Sequence, residues 1–313
     1  MIHSNKYVPI IYRNDIHGIL LLDKPKGISS NKILQKIKKI FFVKKLGYIG
    51  TLDPLATGIL PICLGLCTKF SDYLIKKKKT YRTIAKFGQI TTTYDSEGIV
   101  LEERNINFSE NDLYDAIKKL QGNIIQVIPS YSAKKYKGVP LYKYARKNIF
   151  IPKIQKNVYI YQLRCIKYNR NFIELEIICS KGTYVRTLIH DLGKLLQCGA
   201  HVVALRRIQF FSYNISDTIN VKNLYHINRL SFIDNDKNIF LRFFIPIKKF
   251  FFQLPEINFF SDLPLSCKND IYPIPRNTEG IYRIIVKNKN NIFIIGKINQ
   301  YSRLISYKIF NMK

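Results

Sequence analysis

The sequence predicts an α+β protein, in which a mixed, largely antiparallel sheet with flanking helices is followed by a small β-rich C-terminal domain. Two observations favour this fold class. Segments typical of strands often follow one another directly, and segments with a helical spacing of apolar residues lie between some of them. The composition then shifts towards Phe, Pro and Asn near residues 245–265. A chain of 313 residues is long enough for about two domains, which we predict at residues 1–249 and 250–313.

The first elements are predicted from apolar runs and from the residues that end them. Residues 18–22 are apolar and lead into a turn containing Pro and Gly, which indicates a short strand. A serine can cap the next helix, whose apolar residues recur at helical spacing up to residue 41. The glycine-rich segment 47–58 is expected to be a loop, residues 59–66 a buried strand, and residues 69–79 a helix.

The central part of the chain mixes the two kinds of element again. Residues 81–95 predict one or two strands, and residues 109–120 predict an amphipathic helix with a serine cap. Farther along, residues 172–179 predict a strand, residues 185–196 a helix and residues 200–210 a strand. Strands that follow one another so closely favour antiparallel pairing.

Two further segments have a distinct composition. Residues 130–148 interleave Tyr with Lys and Arg, and they are polar enough to form a surface loop or an insertion of about residues 130–150. Near the C-terminus, residues 281–298 predict a hairpin whose turn contains residues 288–291.

The charge balance restricts the class of partner. The chain has 51 Lys and Arg against 21 Asp and Glu, a formal net charge of +30. Such an excess favours a polyanionic partner, nucleic acid first and a membrane surface second. A bias towards AT-rich codons is an alternative source of the many lysines, although it does not explain why acidic residues are so few.

Targeting signals and cysteine patterns exclude other classes. The sequence lacks the run of about 20 apolar residues that a membrane helix needs, and it lacks a signal-peptide pattern. We therefore expect a cytoplasmic protein without a membrane partner. Its six cysteines are scattered without a CxxC pair, so neither a structural zinc nor a disulfide framework is expected.

One candidate for chemistry is Asp53 in the segment GTLDPLATG, residues 50–58. A carboxylate held on a tight loop between two apolar elements can act as a nucleophile or a base. The alternative is a turn residue whose carboxylate accepts backbone hydrogen bonds. The spacing by itself leaves both interpretations open.

Two more candidates accompany this carboxylate. Tyr184 and Arg186 occur where a predicted strand turns into a helix, and an arginine there can keep a nearby carboxylate ionised. Tyr81, next to Lys79 and Arg82, can stack on a base. The alternatives are an ordinary surface arginine and a tyrosine packed in the core. The adjacent His190 and Asp191 suggest a metal site, but no second cluster at ligand spacing supports one, so no metal is expected.

Together these segments resemble the bacterial TruB family of tRNA pseudouridine synthases, which act on uridine 55 in the T loop. The motifs occur in the order of the family over residues 17–212, and the combination of GTLDPLATG with KGTYVRTLIHDLG is highly specific. The remaining matching segments are GILLLDKPKGISSNKILQKIK, KTYRTIAKFGQ, SYSAKKYKGVPLYKYAR and GAHVVALRR. The resemblance implies a pseudouridine synthase fold, with a PUA-like RNA-binding domain at residues 250–313 that matches more loosely.

The resemblance also implies catalytic roles. Asp53 matches the catalytic aspartate, the nucleophile that acts after the target base has been flipped out of its stack. Tyr81 matches the tyrosine that stacks on the flipped base and lies close enough to join proton transfer. Arg186 matches the arginine that pairs with the catalytic aspartate. The insertion at about residues 130–150 matches the segment that closes over the T loop.

Five more residues are expected to bind the substrate or to support the site. By resemblance, Tyr184 belongs to the same motif as the arginine, Leu205 lines the base pocket, Lys24 supports the floor of the site, and Asp95 is an acidic residue near it. Tyr48 stands where the family usually has a histidine that contacts RNA, so this contact departs from the family pattern.

The partner implied by the resemblance is the T-arm stem-loop of tRNA. No cofactor and no obligate protein partner are expected, and the chain is expected to be a monomer. One alternative is a tRNA-binding folding chaperone with little or no catalysis, although it would not need both Asp53 and Tyr81. A synthase guided by a separate RNA is a second alternative, and a basic protein that binds nucleic acid or membranes without specificity is a third.

Overall fold

The computed structural model of the protein describes residues 17–41, 43, 45–75, 77–225, 243–246, 249, 254–259, 280–286, 292–299, 301 and 304–311. Its strands, in chain order, are β1 (Gly18–Lys24), β2 (Leu46–Tyr48), β3 (Thr57–Leu64), β4 (Lys79–Phe87), β5 (Gln89–Thr91), β6 (Val100–Glu103), β7 (Gly122–Val127), β8 (Lys135–Tyr136), β9 (Val139–Pro140), β10 (Gln155–Asn169), β11 (Phe172–Cys179), β12 (Ala200–Phe210), β13 (Tyr213–Asn214), β14 (Ile219–Asn220), β15 (Phe244–Pro246), β16 (Glu256–Phe259), β17 (Gly280–Val286), β18 (Ile292–Ile298) and β19 (Leu304–Asn311). The helices are α1 (Ser30–Phe41), α2 (Ser71–Ile75), α3 (Glu110–Lys119), α4 (Leu141–Ala145) and α5 (Val185–Leu195), with 3₁₀ turns at Gly65–Phe70 and Ile215–Asp217.

An eleven-stranded sheet forms the main body of the protein. Its central path runs β14-β1-β3-β12-β4-β11-β10-β7, while β13, β15 and β2 pair with β12, β1 and β3. The β1–β14 and β3–β12 pairs are parallel, and the remaining described pairs of this sheet are antiparallel. The predicted fold class, a mixed and largely antiparallel sheet with helices, is confirmed.

The core lies on both faces of this sheet. Strand side chains point alternately to opposite faces, so Leu20 and Leu22 of β1 pack in one cluster with Ile33 and Ile37 of α1. Ile19 and Leu21 belong to a second cluster on the other face. Because both faces are covered, β1 is a continuous apolar run instead of an alternating one.

The prediction of a helix over residues 69–79 is wrong in its second half. Helix α2 ends at Ile75, and Lys79 already belongs to β4. Lys79 pairs with Cys179 of β11 on one side and with Phe210 of β12 on the other. Backbone pairing on both sides satisfies the hydrogen-bonding groups of this segment, so tertiary structure overrides its local helical pattern.

The polar insertion contains short regular elements. Strands β8 and β9 form a small hairpin, and α4 follows directly. Leu141 is buried, whereas the other side chains of α4 are only partly buried or exposed. The prediction of a surface segment agrees with this exposure.

The C-terminal part forms its own four-stranded sheet in the order β16-β17-β18-β19. The predicted hairpin over residues 281–298 is confirmed by the antiparallel pairing of β17 and β18, and the turn predicted at residues 288–291 lies outside the described residues. The boundary at residue 250 and the PUA-like character of this sheet stay predictions. Within the described parts of the chain, no helix has both the length and the apolar character needed to cross a membrane.

Candidate active site

A cavity of about 300 Å³ opens where the loop before β3 meets the start of α5 and the middle strands of the sheet. Five of the side chains predicted to act at a site line this cavity: Asp53, Tyr81, Tyr184, Arg186 and Leu205. They come from four separate segments of the chain, so the fold brings together residues that are up to about 150 positions apart in sequence.

The loop that carries Asp53 is held at several points. The hydroxyl of Ser30 accepts a hydrogen bond from the Leu52 amide and donates one to the Leu52 carbonyl, at 2.9 and 2.8 Å. The Ala56 amide donates to the Asp53 carbonyl at 3.1 Å, and Leu52 and Ala56 are buried. These contacts fix the backbone, and 34% of the Asp53 side chain remains exposed towards the cavity.

Arg186 lies at the start of α5 between two carboxylates. Its Nε is 2.9 Å from Oδ2 of Asp53, and its Nη1 is 3.4 Å from Oδ2 of Asp95. Nη1 also donates to the Thr93 carbonyl at 2.8 Å, and Nη2 donates to the Tyr131 carbonyl at 2.9 Å. The guanidinium group is therefore fixed in one orientation by three chain segments besides its own.

Opposing effects act on the pKa of Asp53. Burial raises the pKa of this carboxyl, and the negative charge of Asp95 raises it further. The Arg186 guanidinium lowers the pKa by charge and by hydrogen bonding. The charge of Lys24 lowers the pKa as well, so Arg186 is the main group, with Lys24 as a smaller one, that favours the ionised form of Asp53.

Asp95 and Lys24 lie behind the cavity wall and are not part of it. Asp95 is buried and accepts hydrogen bonds from Thr93 Oγ1 and the Glu97 amide. Lys24 is fully buried and its Nζ donates to the carbonyl of Pro54, which directly follows Asp53 in the chain. Contact of Asp95 and Lys24 with the substrate stays a prediction. Lys24 is hydrogen-bonded to the segment that carries Asp53, and Asp95 forms an ion pair with Arg186.

Burial also changes the pKa of Lys24. It lowers the pKa of the ammonium group to about 8, against the attraction of Asp53, which raises it.

Tyr48, in β2, is half-buried, packs against the main core and does not line the cavity. Its predicted contact with RNA also stays a prediction.

Tyr184 is positioned by a residue that the sequence did not single out. The side-chain amide of Gln126, in β7, accepts a hydrogen bond from the Tyr184 amide at 3.0 Å and donates one to its carbonyl at 3.2 Å. Gln126 is only 1% exposed. The paired bonds hold the residue before α5 in an extended conformation and so direct the start of the helix towards the cavity.

Two buried cations line the cavity wall: Lys79, which was predicted only as a neighbour of Tyr81, and Arg207, which was missed. Lys79 Nζ donates to the carbonyls of Ile75 and Lys77, each at 2.7 Å, and burial lowers its pKa to about 8. Arg207 is fully buried. The available signal was the pair of arginines in GAHVVALRR, because neighbouring strand residues point to opposite faces and one of the two must point inwards.

No metal site is predicted at His190 and Asp191, and the structure describes the surroundings of the His190 ring. The His190 ring stacks on the Tyr94 ring, with centroids 3.9 Å apart and planes at 9°. Among the described residues, no group of three or more His, Cys, Asp or Glu side chains is arranged to hold a metal ion.

Solved structures share this fold. A structure of a Cbf5-Nop10-Gar1 complex matches with a TM-score of 0.70 at 22% identity, covering 96% of this chain and 87% of that chain. An H/ACA RNP bound to a substrate RNA containing 2′-deoxyuridine matches with a TM-score of 0.66 at 21% identity, covering 95% and 84%. This likeness concerns the fold alone.

Family models match most of the main sheet. The model of the TruB family pseudouridylate synthase N-terminal domain matches residues 38–185, and that of the tRNA pseudouridylate synthase B C-terminal domain matches residues 186–246. The fold is therefore that of a pseudouridine synthase.

Sequence relatives define the family within this class. The tRNA pseudouridine synthase B of Buchnera aphidicola subsp. Acyrthosiphon pisum is 42% identical, covering 95% of this chain and 96% of the relative. That of Pectobacterium atrosepticum is 51% identical over 67% of each chain. The chain belongs to the TruB family of pseudouridylate synthases, and the resemblance inferred from the motifs is confirmed.

Proposed function

We propose that this protein converts uridine 55 in the T loop of tRNAs to pseudouridine, with Asp53 as the catalytic nucleophile. The observation that carries this proposal is the Asp53–Arg186 ion pair at 2.9 Å inside the cavity of a TruB family member. A partly buried carboxylate that is paired with a fixed arginine is a typical activated group.

The target base must leave its stack before it can reach Asp53. Flipping a nucleotide out costs on the order of a few kcal/mol. Stacking on an aromatic ring such as Tyr81 returns about 1–3 kcal/mol. A cavity of about 300 Å³ has room for a uracil ring, and Leu205 supplies an apolar contact beside Tyr81. Direct contact and the exclusion of water would strengthen the Asp53–Arg186 interaction.

The chemistry is an isomerisation. The C1′–N1 glycosidic bond breaks, the uracil ring rotates, and a bond forms from C1′ to C5. C5 loses a proton and N1 gains one, so there is no net oxidation or hydrolysis and the reaction needs no redox cofactor. Three routes start from the ionised Asp53: addition to the base, attack at C1′, and elimination to a glycal-like intermediate.

The test of this function is a readout of position 55. A tRNA transcript incubated with the purified full chain is expected to contain pseudouridine at position 55, detected by chemical labelling and primer extension. A transcript with cytidine at position 55 is the matched control and is expected to give no signal. Pseudouridine at another position would contradict the choice of target, and no pseudouridine at all would contradict the enzyme function.

The chaperone alternative predicts a different pattern. A folding chaperone would bind and refold tRNA without converting any uridine, and it would not depend on the charge of Asp53. The buried Arg186, held by Thr93, Tyr131 and two carboxylates, favours the enzyme, because such an organised ion pair has no use in binding RNA non-specifically.

We also propose that tRNA approaches the cavity over a ridge of lysines. The lysine ridge consists of Lys78, Lys134, Lys156 and Lys181. Lys134 lines the cavity, and burial together with the charges of Lys181 and Lys134 lowers the pKa of Lys156. Lys78 Nζ lies 3.8 Å above the ring of Tyr161. Among the described residues, none of these lysines takes part in a salt bridge, so their charge is available to phosphates.

The ridge predicts a steep salt dependence of binding. If tRNA binding neutralises about 6–10 phosphates, affinity is expected to fall by about 10³–10⁵ between 50 and 200 mM salt. Lys156→Gln and Lys181→Gln should each reduce the slope of log Kd against log salt by about 1. Lys118→Gln, on the exposed side of α3, is the control and should leave the slope unchanged. A Kd nearly independent of salt would assign the lysines to codon bias.

The remaining expectations concern the state of the protein. We propose that it acts as a monomer in the cytoplasm with tRNA as its partner, and that the four-stranded C-terminal sheet contacts RNA outside the T arm. A TruB family chain with its own complete cavity needs no second protein to assemble the site, which supports the monomer.

A further inference from the structure

Arg207 is a buried cation in the cavity wall, and no described residue gives it a carboxylate partner. It is fully buried, and within the described part of the chain no salt bridge includes it. Its Nε donates to the Ile59 carbonyl at 2.6 Å, and its Nη2 donates to the Gly50 carbonyl at 3.0 Å. These bonds fix the guanidinium plane, but they leave its positive charge unmatched, which is unfavourable unless another group uses it.

The third nitrogen of this group is available. Nη1 of Arg207 is buried, and among the described residues no acceptor satisfies it with good hydrogen-bond geometry. The space beside it is narrow, since a Cβ added at Gly50 would lie 3.0 Å from Nη1. The carbon of the guanidinium lies 6.0 Å from the centre of the Tyr81 ring. The unmatched charge therefore lies next to the tyrosine that lines the cavity.

The groups around Tyr81 shift the pKa of its hydroxyl in opposite directions. Burial raises the pKa of the Tyr81 hydroxyl, and Cys179 and Asp53 raise it further, whereas the charge of Arg207 lowers it. Lys79 lies close enough for the charge of Arg207 to lower its pKa, and it adds a second buried cation on this side. Positive charge near a hydroxyl favours its negatively charged form.

We propose that Arg207 is a positioning residue that stabilises the phenolate of Tyr81 while Tyr81 carries a proton from C5 to N1 of the uracil. This inference rests on the proposed function. It extends that function by assigning the isolated charge behind the site to one step of the reaction.

One group, the Tyr81 hydroxyl, can both give the proton that N1 gains and take the proton that C5 loses. When the C1′–N1 bond breaks, its electron pair stays on N1, which takes the hydroxyl proton of Tyr81 and leaves a phenolate. Rotation of the ring about its N3–C6 axis then exchanges the places of N1 and C5. After C1′ has bonded to C5, the phenolate removes the C5 proton, and the C–H electron pair restores the C5–C6 double bond. Tyr81 ends as it began, and no external acid or base is needed.

Arg207 acts only during the interval in which the phenolate exists. A charge-assisted hydrogen bond is shorter and stronger than a neutral one, so the Arg207–Tyr81 contact is expected to tighten when the hydroxyl loses its proton. An interaction that strengthens along the reaction raises the rate more than it raises affinity for the substrate. The expected signature is a slower chemical step with nearly unchanged binding.

The test is a double-mutant cycle between Arg207 and Tyr81. Single-turnover rates are measured with saturating enzyme for the wild type, Tyr81→Phe, Arg207→Gln and the double variant, all on one tRNA transcript. Arg207→Gln is expected to slow conversion by about 10- to 100-fold when Tyr81 is present. With Phe at position 81, the same change is expected to slow it by less than about threefold, because no phenolate can form. The Kd for tRNA should change by less than about twofold in every variant.

Two further variants keep the result interpretable. Arg206→Gln is the matched control, since Arg206 is the neighbouring residue of β12 but pairs with Asp23 outside the cavity, with Nη2 2.7 Å from Oδ2. It is expected to leave the rate within about twofold. Arg207→Lys keeps the charge and is expected to restore part of the rate; if Arg207→Gln does not fold, the cycle is measured with Arg207→Lys instead.

The outcomes separate this inference from the proposed function. Equal slowing by the Arg207 substitution with Tyr and with Phe at position 81 would overturn the role of Arg207 while the wild type still forms pseudouridine. Absence of pseudouridine with the wild type would overturn the proposed function, and the inference with it. A loss of affinity for tRNA that accounts for the whole effect would also overturn the inference.

Discussion

Asp53→Asn is expected to reduce single-turnover pseudouridine formation by several orders of magnitude, towards the roughly 10⁶-fold losses known for other catalytic nucleophiles. The substitution keeps the size of the side chain and removes the charge that, in the proposed function, attacks the substrate. Arg186 stays in place because it is also bonded to Asp95, Thr93 and Tyr131. No other carboxylate lines the cavity among the described residues, so none can replace Asp53.

Binding and folding are expected to survive this change. Affinity comes mainly from phosphate contacts and base stacking, so filter binding of the same tRNA should give a Kd close to that of the wild type, or slightly lower because an anion facing RNA is gone. Burial raises the pKa of Asp53, which means that the ionised carboxylate is less stable in the folded protein than in water. Removing it should therefore not lower the melting temperature by more than a few degrees.

A matched control makes the result specific to the cavity. Asp23 is another partly buried aspartate paired with an arginine, Arg206, but it lies at the end of β1 and does not line the cavity. Asp23→Asn is expected to keep the wild-type rate within about threefold. If Asp53→Asn retained a tenth of the wild-type rate, Asp53 would not be the nucleophile, and the assignment of the site would fall with it.

The parts of this site that the sequence predicted are those encoded in local segments. Asp53 stands in a short glycine- and proline-containing loop, and Arg186 stands where a strand signal changes to a helix signal, so each could be recognised within about 15 residues. Local spacing by itself left a turn aspartate and a surface arginine as alternatives. The motif combination favoured the catalytic interpretation, because the resemblance to one family implies it for both segments.

The parts that were missed depend on the register between distant strands. Arg207 reaches the cavity because β12 pairs in parallel with the start of β3, where Arg207 lies opposite Gly58. Gln126 reaches Tyr184 because β7 lies at the end of the strand order next to β10. No pattern within either segment encodes such pairing, since a shift of one residue would direct each side chain to the other face.

The error in the segment 69–79 has the same origin. Its apolar residues favour a helix locally, but Lys79 is more stable as the first residue of β4, where both neighbouring strands satisfy its backbone. The predicted surface of the insertion, in contrast, needed only composition, because a segment dense in Lys and Tyr cannot bury most of its side chains.

Arg186→Gln is expected to produce the second largest loss of rate. The direction in which it shifts the pKa of Asp53 can be read from the pH–rate profile. Arg186 lowers the pKa of Asp53, so its removal leaves burial and Asp95 to raise that pKa against only the smaller effect of Lys24. In the proposed function, Asp53 must be ionised to attack the substrate. At any pH below the new pKa, the active fraction falls about tenfold for each pH unit, so the acid limb of the profile should move to higher pH. Part of the lost rate should return as the pH is raised.

The same substitution should also destabilise the protein. Arg186 and Asp95 are both buried, with 5% and 3% of their side chains exposed. Removing one partner of a buried ion pair leaves the other charge unpaired, which costs about 3–5 kcal/mol. The melting temperature at pH 7 is expected to fall by about 10 °C. Arg186→Lys keeps the charge but loses the planar fork, so it should slow the reaction while moving the acid limb much less.

Asp95→Asn is expected to shift the pH–rate profile in the opposite direction. It therefore tests whether neighbouring charges set the pKa of Asp53. The charge of Asp95 raises the pKa of Asp53, so removing that charge should lower the pKa and move the acid limb to lower pH, whatever happens to the maximal rate. Two substitutions on either side of one ion pair would then displace the profile in opposite directions. Damage to the fold alone would slow both variants without this change of sign. If both profiles kept the wild-type midpoint, the acid limb would belong to another group, and the ionised Asp53 would not be what limits the reaction at low pH.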